Sequence, residues 1–448
     1  MIFSCRGDAC VSFAKNDVAK TVGFYTLGCK MNYAETETLS RKMKDAGFQQ
    51  VNFNGIADYY VVNSCSVTES ANKKSRQAIR AAHRRNPQAR IIVVGCYAQL
   101  KADEISDIEG VALVLGVKEK FNIVERIYEF EEKQTVLSCV STISEVDSFS
   151  PSYSCSERTR AFLKVQDGCN YRCSYCTIPL ARGKSRNTSI ASLVRQAEEI
   201  AEGGVKEIVL SGINIGDFGQ TTGETFVDLV KALDAVQGIE RYRISSIEPN
   251  LITSEIIDYV AHSRAFMPHF HIPLQCGCDE VLRLMRRRYN TDFFRKKIEE
   301  IQTKIPDVFI GMDVMVGSMG ETDEYFKKSY DFIESLGISF VHVFTYSERE
   351  NTDALKIMPR VQESVRTERS AVLHTLSERM HQDFYKRFDG QIRPVLFETR
   401  TKDGFYVGYT DNYIRVQAKI PYNARNQIIA IKLRYTNGVM YGELFQEK

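Results

Sequence analysis

No apolar run in this sequence approaches the roughly 18 residues that a membrane-spanning helix requires, so no membrane partner is expected. The N-terminal stretch MIFSCRGDACVSF lacks both a basic segment and a continuous apolar core, and is not expected to act as a secretory signal. Net charge is almost absent: 59 basic against 57 acidic residues leave +2, too little for a chain that binds nucleic acid along its whole length. There is no repeat at solenoid periods. With 43% hydrophobic and 26% charged residues, the chain shows none of the bias of a disordered one. The expectation is a globular, cytoplasmic protein, and 448 residues at about 150 per domain suggest roughly three domains.

Three regions follow from the patterning. Short apolar runs (TVGFYTLG, ADYYVVNS, ARIIVVG, VALVLG) alternate with helical stretches such as AETETLSRKMKDAG over residues 20–130, which predicts a parallel α/β sheet. Residues 131–158, which include SEVDSFSPSYSCS, are polar and serine-rich and read as a linker. Six more strand candidates (AFLKV, EIVLSG, RYRISSI, HFHIPLQ, FIGMDVMVG, FVHVFTY) alternate with helices over residues 159–382, closing with a helix from about Val361. That predicts a β/α barrel, partial with six units or complete with units not visible in the pattern. Residues 383–448 hold short strands and suggest a small β-barrel or sandwich. Residues 1–19 are an unassigned extension.

What the chain does hold is cysteine, 12 in all. In a large chain without a secretory signal that richness points to metal binding or catalysis rather than disulfides. Cys169, Cys173 and Cys176 form CxxxCxxC directly after the strand AFLKV, and ligands in α/β folds collect at the carboxyl ends of strands. Three closely spaced thiolates can hold three irons of a 4Fe-4S cluster and leave the fourth open for a substrate. Zinc is the alternative, but a structural zinc wants a fourth ligand and no histidine lies nearby. A second set is dispersed: Cys29, Cys65 and Cys96 each follow a strand candidate, in YTLGC, YVVNSC and IIVVGC. Neighbouring parallel strands end at one sheet edge, so these thiols can share a cluster; individually each could equally be a small core residue.

Basic charge is unevenly placed. From Phe384 to Lys448 there are 11 Lys+Arg, 6 Asp+Glu and 12 aromatic residues, a mixture suited to looped RNA but equally to a small β-domain with an aromatic core. Lys73, Lys74, Arg76, Arg80, Arg84 and Arg85 run along one predicted helix after Cys65, as an RNA-facing or a merely solvated face. The run Arg286, Arg287, Arg288 divides evenly between the same two readings.

CxxxCxxC with an aromatic, Tyr175, before its last cysteine resembles the radical S-adenosylmethionine (SAM) enzymes. The resemblance implies that the open iron chelates SAM, which one electron splits to a 5′-deoxyadenosyl radical. SGIN at Ser211–Asn214, with Gly212, and SSIEP, with Ser245 and Glu248, resemble features that line the SAM pocket, although Gly212 also suits an ordinary turn and Glu248 a solvated helix start. Together with LGCKMN, NSCSVTESANKKSRQ, GCYAQ and HIPLQCGCDEVLRLMRRRY, the chain resembles the methylthiotransferase family from about Thr21 to Lys448. The resemblance implies an N-terminal iron–sulfur domain, a partial (β/α)6 radical-SAM barrel and a C-terminal TRAM-like RNA-binding domain. It further implies two 4Fe-4S clusters, SAM, an electron donor such as flavodoxin or ferredoxin, and tRNA bound by its anticodon stem-loop.

Within the family, LGCKMN, SSIEP and MRRRY are similar to the branch acting on threonylcarbamoyladenosine, methylthiolated at carbon 2 beside the anticodon. The alternatives are isopentenyladenosine in tRNA, a ribosomal protein and, in a different class, a non-catalytic iron–sulfur RNA-binding redox sensor. Two departures stand out: Cys276 and Cys278 replace the family's usual serines, and Val316–Glu321 reads VGSMGE where VGFPGE is usual. The tail supplies none of the six cysteines, so its removal is expected to leave both cluster sites intact.

Overall fold

The computed structural model describes residues 19–154 and 159–445. Cys5, Cys10 and nearly all of the 1–19 extension lie outside the described residues. The first sheet contains β1 (Thr21–Thr26), β2 (Gln49–Val51), β3 (Tyr59–Ser64), β4 (Arg90–Gly95), β5 (Val111–Leu115) and β6 (Leu137–Cys139). They pair in the order 2-1-3-4-5-6, all parallel. β3, β4 and β5 are buried almost throughout, as Val/Ile-rich strands covered by helices on both faces must be. β6 lies inside the stretch expected to be a linker. It is a three-residue edge strand, which needs no apolar run because only one side is paired.

Six parallel strands then follow in sequence order: β7 (Arg160–Lys164), β8 (Glu207–Ser211), β9 (Arg241–Ile244), β10 (His269–His271), β11 (Phe309–Val316) and β12 (Phe340–Thr345). They form two three-stranded sheets joined by the bridges Tyr242–Phe266 and Ser246–His271. No ladder among the described residues pairs β7 with β12, so the barrel is partial and open on one side. The helix Lys30–Asp45 of the first sheet packs against β7, where the Arg41 guanidinium sits 4.1 Å above the Tyr153 ring.

The long helix Glu363–Lys386 closes against β12, the Ser377 hydroxyl donating to Val341 O at 2.8 Å. The chain ends in β13 (Ile392–Arg400), β14 (Tyr406–Thr410), β15 (Arg415–Ala418), β16 (Ile428–Thr436) and β17 (Val439–Leu444), a closed barrel in the order 13-14-15-17-16. Its aromatics divide: Phe388, Phe397 and Tyr406 fill the core, whereas Tyr422, Tyr441 and Phe445 are exposed. No helix among the described residues is long and apolar enough to cross a membrane.

The C-terminal barrel is not a loosely hung module. Arg241 donates to Tyr409 O and Pro394 O, and Arg243 to Thr410 O and Asp411 O, at 2.7–2.9 Å. Both arginines are buried beside Glu207, which Arg243 Nε reaches at 2.9 Å, so deleting the tail would remove four of their backbone contacts but leave that carboxylate. These contacts fasten the tail to the partial barrel, although it supplies no cysteine to either set.

Candidate active site

Cys29, Cys65 and Cys96 follow β1, β3 and β4, three adjacent strands, so the parallel sheet delivers all three to one edge. Two glycines make that convergence possible. A Cβ on Gly28 (φ +103°) would stand 2.8 Å from Cys65 Cβ, and one on Gly95 (φ +99°) 2.5 Å from Ser64 O. Asn32 ties the loops together, donating to Leu27 O at 2.7 Å and Ser64 O at 3.3 Å. Burial pushes the Cys65 thiol up to about 11 and raises Cys29 too, against the opposing pull of Arg182 on Cys29. Arg182 Nε donates to Cys96 Sγ at 3.2 Å.

The second set lies on the loop after β7. Each sulfur there receives one N–H: Tyr171 N to Cys169 at 3.3 Å, Ile178 N to Cys176 at 3.4 Å, and Arg287 Nη1 to Cys173 at 3.2 Å. Donors on sulfur stabilise thiolate, the form that binds metal. Burial holds Cys169 and Cys176 up at about 12, so a bound metal must displace their protons. Among the described residues no three His, Cys, Asp or Glu side chains gather around a single metal ion. Three cysteines on one short loop, each sulfur with an N–H donor, are a donor set for three irons of a 4Fe-4S cluster. The residues fit the cluster.

Between the two sets lies a buried ion network, every side chain in it at most 5% exposed. Glu35 pairs with Lys120 at 2.6 Å, and with Lys164 and Arg182 at 3.1 Å. Asp167 pairs with Lys164 at 2.8 Å, Arg182 at 3.0 Å and Arg186 at 3.1 Å. Burial alone would raise both carboxyls, but these cations outweigh it and hold them well below the usual range. Arg182 ends the short helix Ile178–Arg182 that begins just after Cys176, and it also reaches Asn32 Oδ1 at 2.8 Å. One guanidinium thus links both cysteine sets. Four cations face two carboxylates, an excess of positive charge beside Cys29 and Cys96 that favours thiolates.

A cavity of about 890 Å³ opens beside the first set. Cys29 and Lys30 line it from the sheet, Ser211, Gly212 and Ser245 from strand ends of the partial barrel, and Tyr413 from the C-terminal barrel. All three regions meet there.

The chain matches the family model described as uncharacterized protein family UPF0004 over residues 21–116 and that of the radical SAM superfamily over residues 163–333. It is 38% identical to the threonylcarbamoyladenosine tRNA methylthiotransferase MtaB of Bacillus subtilis, across 92% of this chain and 93% of that one. The protein of the same name in Aquifex aeolicus is 36% identical, across 88% and 96%. This chain belongs to the radical SAM methylthiotransferase family. A tRNA-2-methylthio-N(6)-dimethylallyladenosine synthase of Syntrophus aciditrophicus is 29% identical across 86% and 85%. Among solved structures, the radical SAM methyltransferase TsrM of Kitasatospora setae, with cobalamin and a [4Fe-4S] cluster bound, shares the fold at a TM-score of 0.55 and 13% identity, over 87% of this chain and 81% of that one.

Membership makes the chain a transferase whose family uses SAM and a 4Fe-4S cluster. The structure sorts the residues expected to serve them. Ser211, Gly212 and Ser245 line the central cavity; Cys169 lines a separate opening of about 570 Å³, and Tyr175 and Glu248 line neither. Glu248 is instead clasped by Arg287, which also donates to Cys173 and, at 3.0 Å, to Tyr289 Oη. Arg287 is 3% exposed in its side chain, so it is no RNA contact. Arg286 pairs with Asp353, and Arg288 stacks over Tyr171 at 3.8 Å. Arg287→Gln is expected to destabilise the fold by about 3 kcal/mol, because Glu248 is left largely buried without its cation. The check is the urea midpoint of the metal-free protein, with Arg287→Lys losing less.

The basic helix Glu69–Arg85, started by Thr68 accepting the Ala71 N–H, also divides. Lys73, Lys74, Arg80 and Arg84 are exposed. Arg76 is held by Glu69, Glu104 and Tyr97, and Arg85 by Phe53 O and Asn54, so those two serve the domain itself. In the VGSMGE loop of this methylthiotransferase, Gly317 and Gly320 carry the positive φ angles and Met319 is buried beside Tyr346, so the unusual Ser-Met pair fits the turn. Cys276 and Cys278 are buried in the barrel core, as packing residues. The residues that motif reading did not single out are Glu35, Lys120, Lys164, Asp167 and Arg182; Lys164 and Asp167 are near neighbours, but Glu35 lies 129 and 147 positions from Lys164 and Arg182.

Proposed function

We propose that this enzyme adds a methylthio group to carbon 2 of threonylcarbamoyladenosine next to the anticodon in tRNA. The observation that carries the reading is the placement of two three-cysteine sets on either side of one buried ion network, with Cys29 opening onto the central cavity. The names of the B. subtilis and A. aeolicus relatives support the substrate. Cys169, Cys173 and Cys176 would hold the SAM-binding cluster, and Cys29, Cys65 and Cys96 a second one.

When bound, the first cluster supplies the electron that splits SAM, a radical route suited to an aromatic C–H bond too weakly acidic for any side-chain base. The chain's own residues do the rest. Arg287 and two backbone amides hold the sulfurs of one set; Arg182 holds Cys96 of the other. Ser211, Gly212 and Ser245 shape the barrel wall where SAM would lie. An electron donor such as flavodoxin or ferredoxin would serve the clusters, in the compartment where tRNA is modified. The chain would then comprise an iron–sulfur domain over 20–130, a linker over 131–158, a barrel with its trailing helix over 159–382 and an RNA-binding domain over 383–448.

For RNA, the proposed contacts are Lys73, Lys74, Arg80 and Arg84, with the exposed Arg400, Lys402 and Lys419 near the Phe405–Tyr441 ring pair of the C-terminal barrel. Replacing Lys73, Lys74, Arg80 and Arg84 by serine is expected to weaken binding of an anticodon stem-loop. It should also flatten the salt dependence by about 0.7–0.9 for each phosphate no longer neutralised. An unchanged slope would make these side chains a solvated face. The function itself is tested by mass spectrometry of tRNA nucleosides from cells lacking the gene. Loss of 2-methylthio-threonylcarbamoyladenosine supports the reading; its persistence, with another nucleoside lost, refutes it.

A further inference from the structure

The cavity carries a lysine beside Cys29 that no described residue pairs with, although Asp313 and Tyr413 favour its charge from a distance. Lys30, the first residue of the helix Lys30–Asp45, lines the cavity and has no ion pair among the described residues. The lining holds a single carboxylate among those residues, Asp313, and His271 Nε2 already stands 2.8 Å from its Oδ1. No side chain caps the helix, so its first N–H groups and the positive end of its dipole add to the same field. Arg415 enters from the C-terminal barrel, likewise without an ion pair among the described residues. Beside these cations the wall carries aromatic side chains, among them the exposed Phe344, while Tyr409 and Tyr413 stack on each other and against Arg160 and Arg243.

Aromatic faces suit a purine base, and an unpaired ammonium suits an anionic substituent on it. We propose that Lys30 is a specificity-determining residue that receives the free carboxylate of the substrate nucleoside. This rests on the proposed function and deepens it. A threonylcarbamoyl group keeps threonine's carboxylate, whereas an isopentenyl group carries no charge. An apolar substituent in this place would leave the ammonium dehydrated and unpaired, and a site built for a polar group rejects the analogue that lacks it.

The test uses the full-length, cluster-loaded protein and two anticodon stem-loops, one bearing threonylcarbamoyladenosine and one its methyl ester. The wild type is expected to bind the acid at least about tenfold more tightly than the ester. In Lys30→Gln that ratio should fall to near one, and in Lys30→Arg it should be largely kept. Iron content of each variant reports whether the neighbouring Cys29 site is intact, and the acid–ester ratio of the wild type needs no variant at all. A wild-type ratio of one, or a ratio unchanged in Lys30→Gln, overturns the proposal. So does a loss confined to the dissociation constant of SAM, whose own carboxylate would then be the one served. If the wild type methylthiolates isopentenyladenosine RNA but not threonylcarbamoyladenosine RNA, the substrate reading falls and takes this inference with it. If it modifies the threonylcarbamoyl RNA with a ratio of one, only the inference falls.

Discussion

A Cys65→Ala variant, reconstituted with iron and sulfide without oxygen, is expected to split SAM at close to the wild-type rate and to make no methylthiolated product. Cys65 sits at the end of β3 in the first sheet, whereas the CxxxCxxC loop follows β7 in the barrel, and its sulfurs take their hydrogen bonds from Tyr171, Ile178 and Arg287. None of those donors touches Cys65. The converse variant, with Cys169, Cys173 and Cys176 all changed to alanine, is expected to lose SAM cleavage altogether. The wild type should carry about eight irons and either variant about four. Iron analysis and release of 5′-deoxyadenosine are the measurements. Loss of SAM cleavage in Cys65→Ala with a normal barrel cluster would show that the two sites do not divide the work.

The second large effect is expected at Arg182. Arg182→Met removes the cation shared by Glu35 and Asp167, the donor to Cys96 Sγ and the tie to Asn32. Breaking a buried ion pair by deleting one partner costs about 3–5 kcal/mol, since the remaining charge is left uncompensated. Lys120, Lys164 and Arg186 remain, so the lower end of that range is expected, read as a fall in the urea midpoint of metal-free protein.

The same pairing fixes the sign of the pH response. Glu35 and Asp167 titrate below their unfolded values in the native state, so their contribution is fully present above about pH 4.5. It is lost as the pH falls through their depressed values. Arg182→Met should raise both carboxyls and move acid unfolding to higher pH. In loaded protein, losing an N–H donor on a ligand sulfur should make the first-sheet cluster harder to reduce, visible as a more negative potential. An unchanged midpoint and an unchanged potential together would reduce Arg182 to a bystander.

The parts legible in the sequence share a physical reason. β3, β4 and β5 are buried on both faces, so their apolar residues come in unbroken runs (YYVV, IIVV and VALVL), and such runs can be read. Once the strands are parallel, Cys29, Cys65 and Cys96 must share an edge, because each stands within three residues of its strand's end. β6 escaped because an edge strand of three residues carries no such pattern. The Glu35–Arg182 contact spans 147 positions, and nothing local in either segment announces the other. In the run Arg286–Arg288 the three arginines look alike, yet the middle one turns inward to Glu248 and Cys173 while its neighbours stay outside. The tail's hold on the barrel is not legible either: the acceptors it provides for Arg241 and Arg243 are backbone carbonyls, which no sequence pattern marks.

The most direct measurement is a single reaction. Purified protein with both clusters reconstituted is incubated without oxygen with SAM, a chemical reductant and an anticodon stem-loop bearing threonylcarbamoyladenosine, and the digested nucleosides are analysed by mass spectrometry. The 2-methylthio derivative of that nucleoside is the expected product, together with 5′-deoxyadenosine, and an otherwise identical stem-loop bearing isopentenyladenosine should yield little or none. Release of 5′-deoxyadenosine with the threonylcarbamoyl nucleoside left unchanged, or methylthiolation of the isopentenyl RNA in its place, would contradict the account.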